Sequence, residues 1–447
     1  MKKFLFILAM LPLLFSDFVY SQWVAQTSGV GTAAFNSVSF ISATTGLAVG
    51  ANGTIIKTTN GGTTWVAKSS LTANTLNEVQ FITATTAVTV GQFGIILLST
   101  NAGESWTNQT SGTNLNSVYF PSPTRGYAVG TTGTILKTTN GGFNWTAQTS
   151  GTTAMLTSVY FLSDTVGYTC SAGGDVLKTT NGGTNWTVNA TGFPNTLYSV
   201  SFANANTGWV CTTIGGIRKT TNAGINWTSQ NSGAGNQLNG IQFKDVNSGW
   251  CVGSTGRIIS TTNGGTNWVG QTSPTTNNLN SVFMVSATTG WIVGDNGTVL
   301  KTTTGGLSAP GAPTLVLPGN GASNISVTPT FQWNVSAGAT SYKIQISTIS
   351  NFGVITDSAT VTTNSYAIAP GILQNASAYF WRVNASNALG TSAYSTTFNF
   401  STTVSPPPVP VHVSPANNSN GQSTTPTLVW QAIAGATSFH VQISTLS

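Results

Sequence analysis

Polar and apolar residues alternate through Asn36-Ser37-Val38-Ser39-Phe40, the period of a half-buried β-strand. The turn Ser42-Ala43-Thr44-Thr45-Gly46 leads to a second apolar run, Leu47-Ala48-Val49. Asn52-Gly53 then predicts a tight hairpin, because that pair tolerates the positive φ of a type I′ turn. A third strand, 54–59, reaches Asn60-Gly61-Gly62, and Trp65 opens a fourth. The unit is four short antiparallel strands.

This unit repeats. Asn60–Trp65 is followed by Asn101–Trp106, Asn140–Trp145, Asn181–Trp186, Asn222–Trp227 and Asn263–Trp268, at steps of 41, 39, 41, 41 and 41 residues. A seventh copy, Thr302-Thr303-Thr304-Gly305-Gly306, has Ala309 where the Trp should stand. Trp23-Val24-Ala25-Gln26-Thr27-Ser28-Gly29 supplies the missing piece, since it matches Trp145-Thr146-Ala147-Gln148-Thr149-Ser150-Gly151. Six whole repeats and two complementary halves predict an all-β, seven-bladed β-propeller over 22–306, closed by the N-terminal strand with Trp23 beside Thr302.

Composition narrows the picture. Charged residues are 5% of 447, with 14 Lys and Arg against 8 Asp and Glu. That is too few for coiled coils or solvent-laced helices, while a hydrophobic content of 39% and 13 Trp exclude charged disorder. Residues 1–21 read as a secretory signal peptide: Lys2 and Lys3 precede the apolar run Phe4–Phe15, with Val19 and Ser21 before the cleavage point. The expected localisation is therefore secreted or cell surface. Without Lys2, Lys3 and Asp17 the net charge falls from +6 to +5. With no run of three basic residues, that is no nucleic-acid footprint. No other segment is apolar enough to span a bilayer, so an integral membrane protein is not expected.

The Thr-x-Asn-x-Gly-x-x-Trp motif resembles the BNR or Asp-box repeat, with Asn in place of Asp. The longer pattern Ser-Val-x-Phe, Gly-x-Ala-Val-Gly and Gly-Thr-Ile-Leu-Lys-Thr-Thr-Asn-Gly-Gly-x-x-Trp is similar to photosystem II stability/assembly factor-like propellers over residues 23–306. Such propellers also occur in bacteria that do not photosynthesise. Asn60, Asn101, Asn140, Asn181, Asn222 and Asn263 are expected to bond amides of their own turns. Trp65, Trp106, Trp145, Trp186, Trp227 and Trp268 are expected to bury large rings as hairpin staples.

Composition shifts after Gly306. Residues 307–313 form a Pro/Gly linker. Short alternating strands over 314–404 predict a β-sandwich, and Tyr379-Phe380-Trp381-Arg382-Val383-Asn384-Ala385-Ser386-Asn387 resembles the penultimate strand of fibronectin type III domains. Pro426-Thr427-Leu428-Val429-Trp430 repeats Pro329-Thr330-Phe331-Gln332-Trp333, so 405–447 reads as a truncated second module and the chain as a piece of a longer protein.

Asp-box propellers include sialidases and other glycoside hydrolases, so candidate chemistry needs testing. Arg125 and Arg257 fall at opposite ends of their blades and cannot converge on one carboxylate, with Arg218 within a third strand. Hydrolysis needs two carboxylates facing one cleft. Asp164 and Asp245 lie in turns at one end of the ring, Asp295 at the other, and Glu104 inside an Asp-box. Glu78 and Asp175 are lone departures from Ser37-like and Thr54-like positions. No cofactor or metal is expected, because the propeller has no His and no clustered carboxylates. Cys170, Cys211 and Cys251 fall in second strands as small buried hydrophobes.

The expectation is a non-catalytic recognition scaffold acting in binding or adhesion, with an extracellular protein or glycan as partner. The alternatives are a polysaccharide-active glycoside hydrolase of the Asp-box propeller type and an envelope or photosystem-type assembly factor. The turns between second and third strands vary most, and Phe93, Arg257 and Asp295 are the candidate contact residues there.

Overall fold

At the first hairpin Asn52 and Gly53 take φ of 54° and 68°, and the Thr54 amide donates to the Ala51 carbonyl at 3.0 Å. A Cβ on Gly53 would run into the Thr72 carbonyl. The same turn therefore also seats the loop that leaves the blade. In this computed structural model, residues 22–336, 338–387, 389–404 and 407–445 are described. The leader assigned to 1–21 lies outside them. The chain divides into two compact units, 1–308 and 309–447.

Among the described residues, the first unit holds seven four-stranded antiparallel sheets. Blade 1 comprises an inner strand Phe35–Phe40, a second strand Gly46–Gly50, a third strand Ile55–Thr58 and an outer strand Val66–Lys68. Blades 2 to 6 repeat that order at 76–110, 115–148, 156–190, 197–230 and 238–270. Blade 7 takes Leu279–Met284, Gly290–Gly294 and Val299–Thr302, and its outer strand is Val24–Ala25 from the other end of the unit. Val24 pairs with Lys301 and Ala25 with Leu300. Trp23 is fully buried, and its Nε1 donates to Gln271 of blade 6 at 2.7 Å.

Blades meet through aromatic rings. Trp65 of the first Asp-box stands edge-on to Phe40 of its own inner strand at 5.8 Å and 88°. The second-strand residue of the preceding blade lies flat on the other side of such a Phe: Tyr127 on Phe161 at 3.8 Å, Tyr168 on Phe202 at 3.8 Å, Trp209 on Phe243 at 3.4 Å. These interfaces thus bury stacked and edge-on ring pairs, adding about 0.5–1.5 kcal/mol per pair beyond area burial.

The second unit carries a three-stranded sheet, Leu315–Leu317 with Thr330–Trp333 and Ser365–Ala367. A larger sheet is centred on Ala378–Asn387 and Ser341–Ser347. The two share one core of Phe331, Trp333, Ile344, Tyr379, Trp381 and Phe400, which makes a β-sandwich. The Tyr379 hydroxyl accepts the Gln374 amide at 2.8 Å, pinning the corner before its strand. Further on, His412–Ser414 pairs with Val429–Trp430. Residues 438–444, which repeat the strand Ser341–Ser347, form no strand, and Val441 and Ile443 are exposed. In the first sandwich that strand is flanked on both sides. Among the described residues the repeat has neither flank.

Candidate functional site

The three candidate contact residues all stand at the end of the ring where second-to-third turns and inter-blade loops gather. Phe93 occupies the turn position of Asn52, with φ of 55°, and its ring is 70% exposed. Its amide donates to Asn114 Oδ1 at 2.6 Å. Arg257 begins a third strand and donates from Nη2 to the Gly233 carbonyl at 2.9 Å. Asp295 accepts from Asn278 Nδ2 and Asn280 Nδ2, each at 3.0 Å. Asn278 Oδ1 in turn accepts the Thr255 amide at 3.1 Å, so the turns carrying Arg257 and Asp295 are linked. No hydrogen bond joins Phe93, on blade 2, to that pair. The exposed Leu71, Met155 and Ile214 share its end of the ring, on loops or turns of the same kind.

Asn60 Oδ1 accepts the Thr64 amide at 2.9 Å and the Thr58 hydroxyl at 3.0 Å. Asn101, Asn140, Asn181, Asn222 and Asn263 repeat the amide contact. The turns also join blades. A backbone carbonyl of the next blade's Asp-box accepts the Tyr127 hydroxyl and Lys137 ammonium (Gly182, 2.9 and 2.6 Å) and the Trp209 indole and Lys219 ammonium (Gly264, 3.3 and 2.8 Å). Blade 1 departs: Lys57 instead donates to Glu104 at 2.6 Å, and Lys68 reaches the other carboxylate oxygen at 2.6 Å. Those two lysines hold the Glu104 carboxyl below its usual range.

The seven inner strands enclose a channel of about 280 Å³. Every inner strand has a register break at its second residue, Asn36, Asn77, Asn116, Thr157, Tyr198, Asn239 or Asn280. Bulges re-aim side chains, and here six of the seven reach the next blade. Asn36 Nδ2 donates to the Leu76 carbonyl at 2.9 Å, Asn77 to Leu115 at 2.7 Å, and Asn280 closes the circle on Phe35 at 2.9 Å. Asn116, Thr157 and Asn239 do the same. Tyr198 does not, and the Cys211 Sγ lies 3.5 Å from the Leu238 carbonyl instead.

One residue further, Ser37 Oγ accepts the Val79 amide at 3.2 Å and Ser117 Oγ the Val159 amide at 3.0 Å. These side chains cap inner-strand edges that would otherwise leave unpaired amides. Glu78 fills the same place on blade 2, accepting the Val118 amide at 2.9 Å. Burial pushes its carboxyl up to about 7, against the hydrogen bonds from Ser117 and Val118. In the sequence Glu78 is only a departure from a Ser37-like position; that it faces the channel depends on the ring.

Asp164 and Asp245 have separate partners. Arg125 lies 3.6 Å from Asp164. Asp245 caps the amides of Asn247 and Ser248 at 2.7 and 2.8 Å. Arg218 stacks on the Phe193 ring at 4.1 Å. Cys170, Cys211 and Cys251 are buried free thiols. Among the described residues, no three His, Cys, Asp or Glu cluster as a metal site would require, and no helix is long and apolar enough to cross a membrane.

Fold and repeat together define a seven-bladed propeller of Asp-box type with a channel and a loop face available for recognition. The family model described as photosynthesis system II assembly factor YCF48 matches residues 16–117, 108–237 and 231–323, and the chain belongs to that family. Two solved structures are similar. YCF48 bound to D1 peptide has 21% identity and a TM-score of 0.56, covering 64% of this chain and 98% of that one. YCF48 from Cyanidioschyzon merolae has 21% identity and a TM-score of 0.55, covering 63% and 99%. At that identity the likeness carries the fold. No curated protein matches the chain.

Proposed function

We propose that this protein is an exported, non-catalytic assembly-type factor whose propeller recognises an extended segment of a partner protein. The observation that carries this reading is membership of an assembly-factor family, one of whose solved structures has a peptide bound. The loop face supplies suitable chemistry: exposed Phe93, Leu71 and Ile214 for apolar anchors, and the linked Arg257 and Asp295 turns for polar ends. This favours the assembly reading over adhesion to a glycan, for which no observation speaks. The separate engagement of Glu104, Asp164, Asp245 and Asp295 supports a non-catalytic role. The sandwich over 314–404, with its fibronectin type III resemblance, would act as a spacer.

A tiled array of peptides from envelope proteins, probed with the full chain, tests this. Binding that falls at least tenfold in the double variant Phe93→Ala, Ile214→Ala, but is unchanged in Phe143→Ala at the Asp-box end, is the expected outcome. Turnover of a polysaccharide, or peptide binding indifferent to Phe93 and Ile214, would overturn it.

A further inference from the structure

We propose that the central channel is a binding site for a primary ammonium group, with Glu78 as its counter-ion. The bore is lined by inner strands and does not share residues with the loop-face contacts Phe93, Arg257 and Asp295.

Among the described residues Glu78 is the only charged residue lining the channel, with no Lys, Arg or His there. Glu78 accepts the Val118 amide on Oε2 at 2.9 Å and a hydrogen bond from the Ser117 side chain, and its carboxylate is the site's ionic acceptor. Above it, Asn36, Asn77 and Asn116 spend their Nδ2 groups on the carbonyls of Leu76, Leu115 and Leu156. Their Oδ1 atoms remain as acceptors on three consecutive blades. Beyond Glu78, Tyr119 and Tyr160 lie 4.9 Å apart, and Tyr198 and Phe283 line the same space. A carboxylate, amide oxygens and aromatic faces together select a cation. A volume of about 280 Å³ admits a small amine or the end of a lysine side chain and excludes a folded partner.

The accessory role of Glu78, capping the Val118 amide, does not require a charge. Six other blades place Ser or Gly there, and Ser caps the amide without a charge. A half-buried carboxylate in a neutral ring costs stability unless a cation compensates it. The groups facing Glu78 are Ser37 from blade 1, Ser117 and Tyr119 from blade 3, and Val90 from its own second strand. Of these only Tyr119 titrates, and burial raises it further from neutrality.

Ligand-observed NMR of the full chain in phosphate buffer, with n-butylamine and with N-acetyl-lysine methylamide, tests the site. Saturable binding at pH 8 is expected, at least tenfold weaker at pH 5.5 and in Glu78→Gln. Glu78→Ser, which restores the residue of the other blades, should fold and also lose binding. Butylamine binding would indicate a free amine, and binding of the lysine amide alone a partner's side chain. Absence of saturation by either probe below roughly 10 mM, or equal binding by Glu78→Ser, would overturn the proposal.

Discussion

The indole of Trp291 lies flat on the ring of Phe40, with centroids 3.5 Å apart and planes 11° from parallel. The two residues belong to the last and first blades, 251 positions apart. Trp65 stands edge-on to the same Phe40, and Trp291 Nε1 donates to the Gly61 carbonyl at 3.3 Å. At the seam where the ring closes, Phe40 is therefore packed as Phe161, Phe202 and Phe243 are.

Removing that ring should cost as much as a core aromatic. Trp291→Ala is expected to destabilise the propeller by about 3–5 kcal/mol, and Trp291→Phe by much less because the stack survives. Denaturant unfolding of the two variants followed by near-ultraviolet circular dichroism measures the difference. Equal losses would show that area alone, and not stacking on Phe40, holds the seam.

Phe93 is a bulky residue in a left-handed turn position that Asn52 fills at ease. The left-handed conformation costs an ordinary residue about 1–2 kcal/mol, and an exposed ring recovers little by burial. Phe93→Asn should raise stability by roughly 1 kcal/mol while weakening peptide recognition. Thermal unfolding, run beside the peptide array, checks both halves.

At the Asp-box, Asn60→Ala leaves the Thr64 amide and Thr58 hydroxyl without their shared acceptor. The expected cost is about 1–2 kcal/mol. Asn60→Asp keeps the acceptor and should be within about 0.5 kcal/mol of wild type. Chemical denaturation separates them.

Glu78 gives stability a pH signature. Its folded carboxyl sits at about 7 against an ordinary 4.5, so between those values the native state holds a proton that the unfolded chain releases. Stability should therefore fall as pH rises from 4.5 to 7 and then level off, by at most roughly 3 kcal/mol. Glu78→Gln should flatten this segment. Glu104 acts oppositely and in a lower window: its pairing with Lys57 and Lys68 stabilises above the ordinary carboxyl value and is lost on acidification. Unfolding midpoints from pH 4 to 8 in saturating-buffer series measure both effects, and an unchanged slope in Glu78→Gln would refute the first.

Much of this architecture was legible in local sequence. Alternation marked the inner strands, Asn52-Gly53 marked its hairpin, and the spacing of Asn60-type turns counted the repeats. Trp23 could be assigned to the seventh repeat because its flanking residues copy those of Trp145. Lys57, Lys137, Lys178, Lys219 and Lys301 could be seen to recur, but not that Lys137 and Lys219 reach the next blade's Asp-box. The bulges were hidden as well, since one unpaired residue shows only in the register between two strands.

What the sequence determined by itself is therefore the strand, the turn and the repeat, because each is encoded by residues a few positions apart. What only the tertiary structure decided is which of those residues meet. Glu78 becomes a channel carboxylate, Asn280 reaches Phe35, and Asp295 holds Asn280 at the channel mouth. These contacts depend on the summed rotation of seven blades, a long-range quantity that no local period in the chain carries.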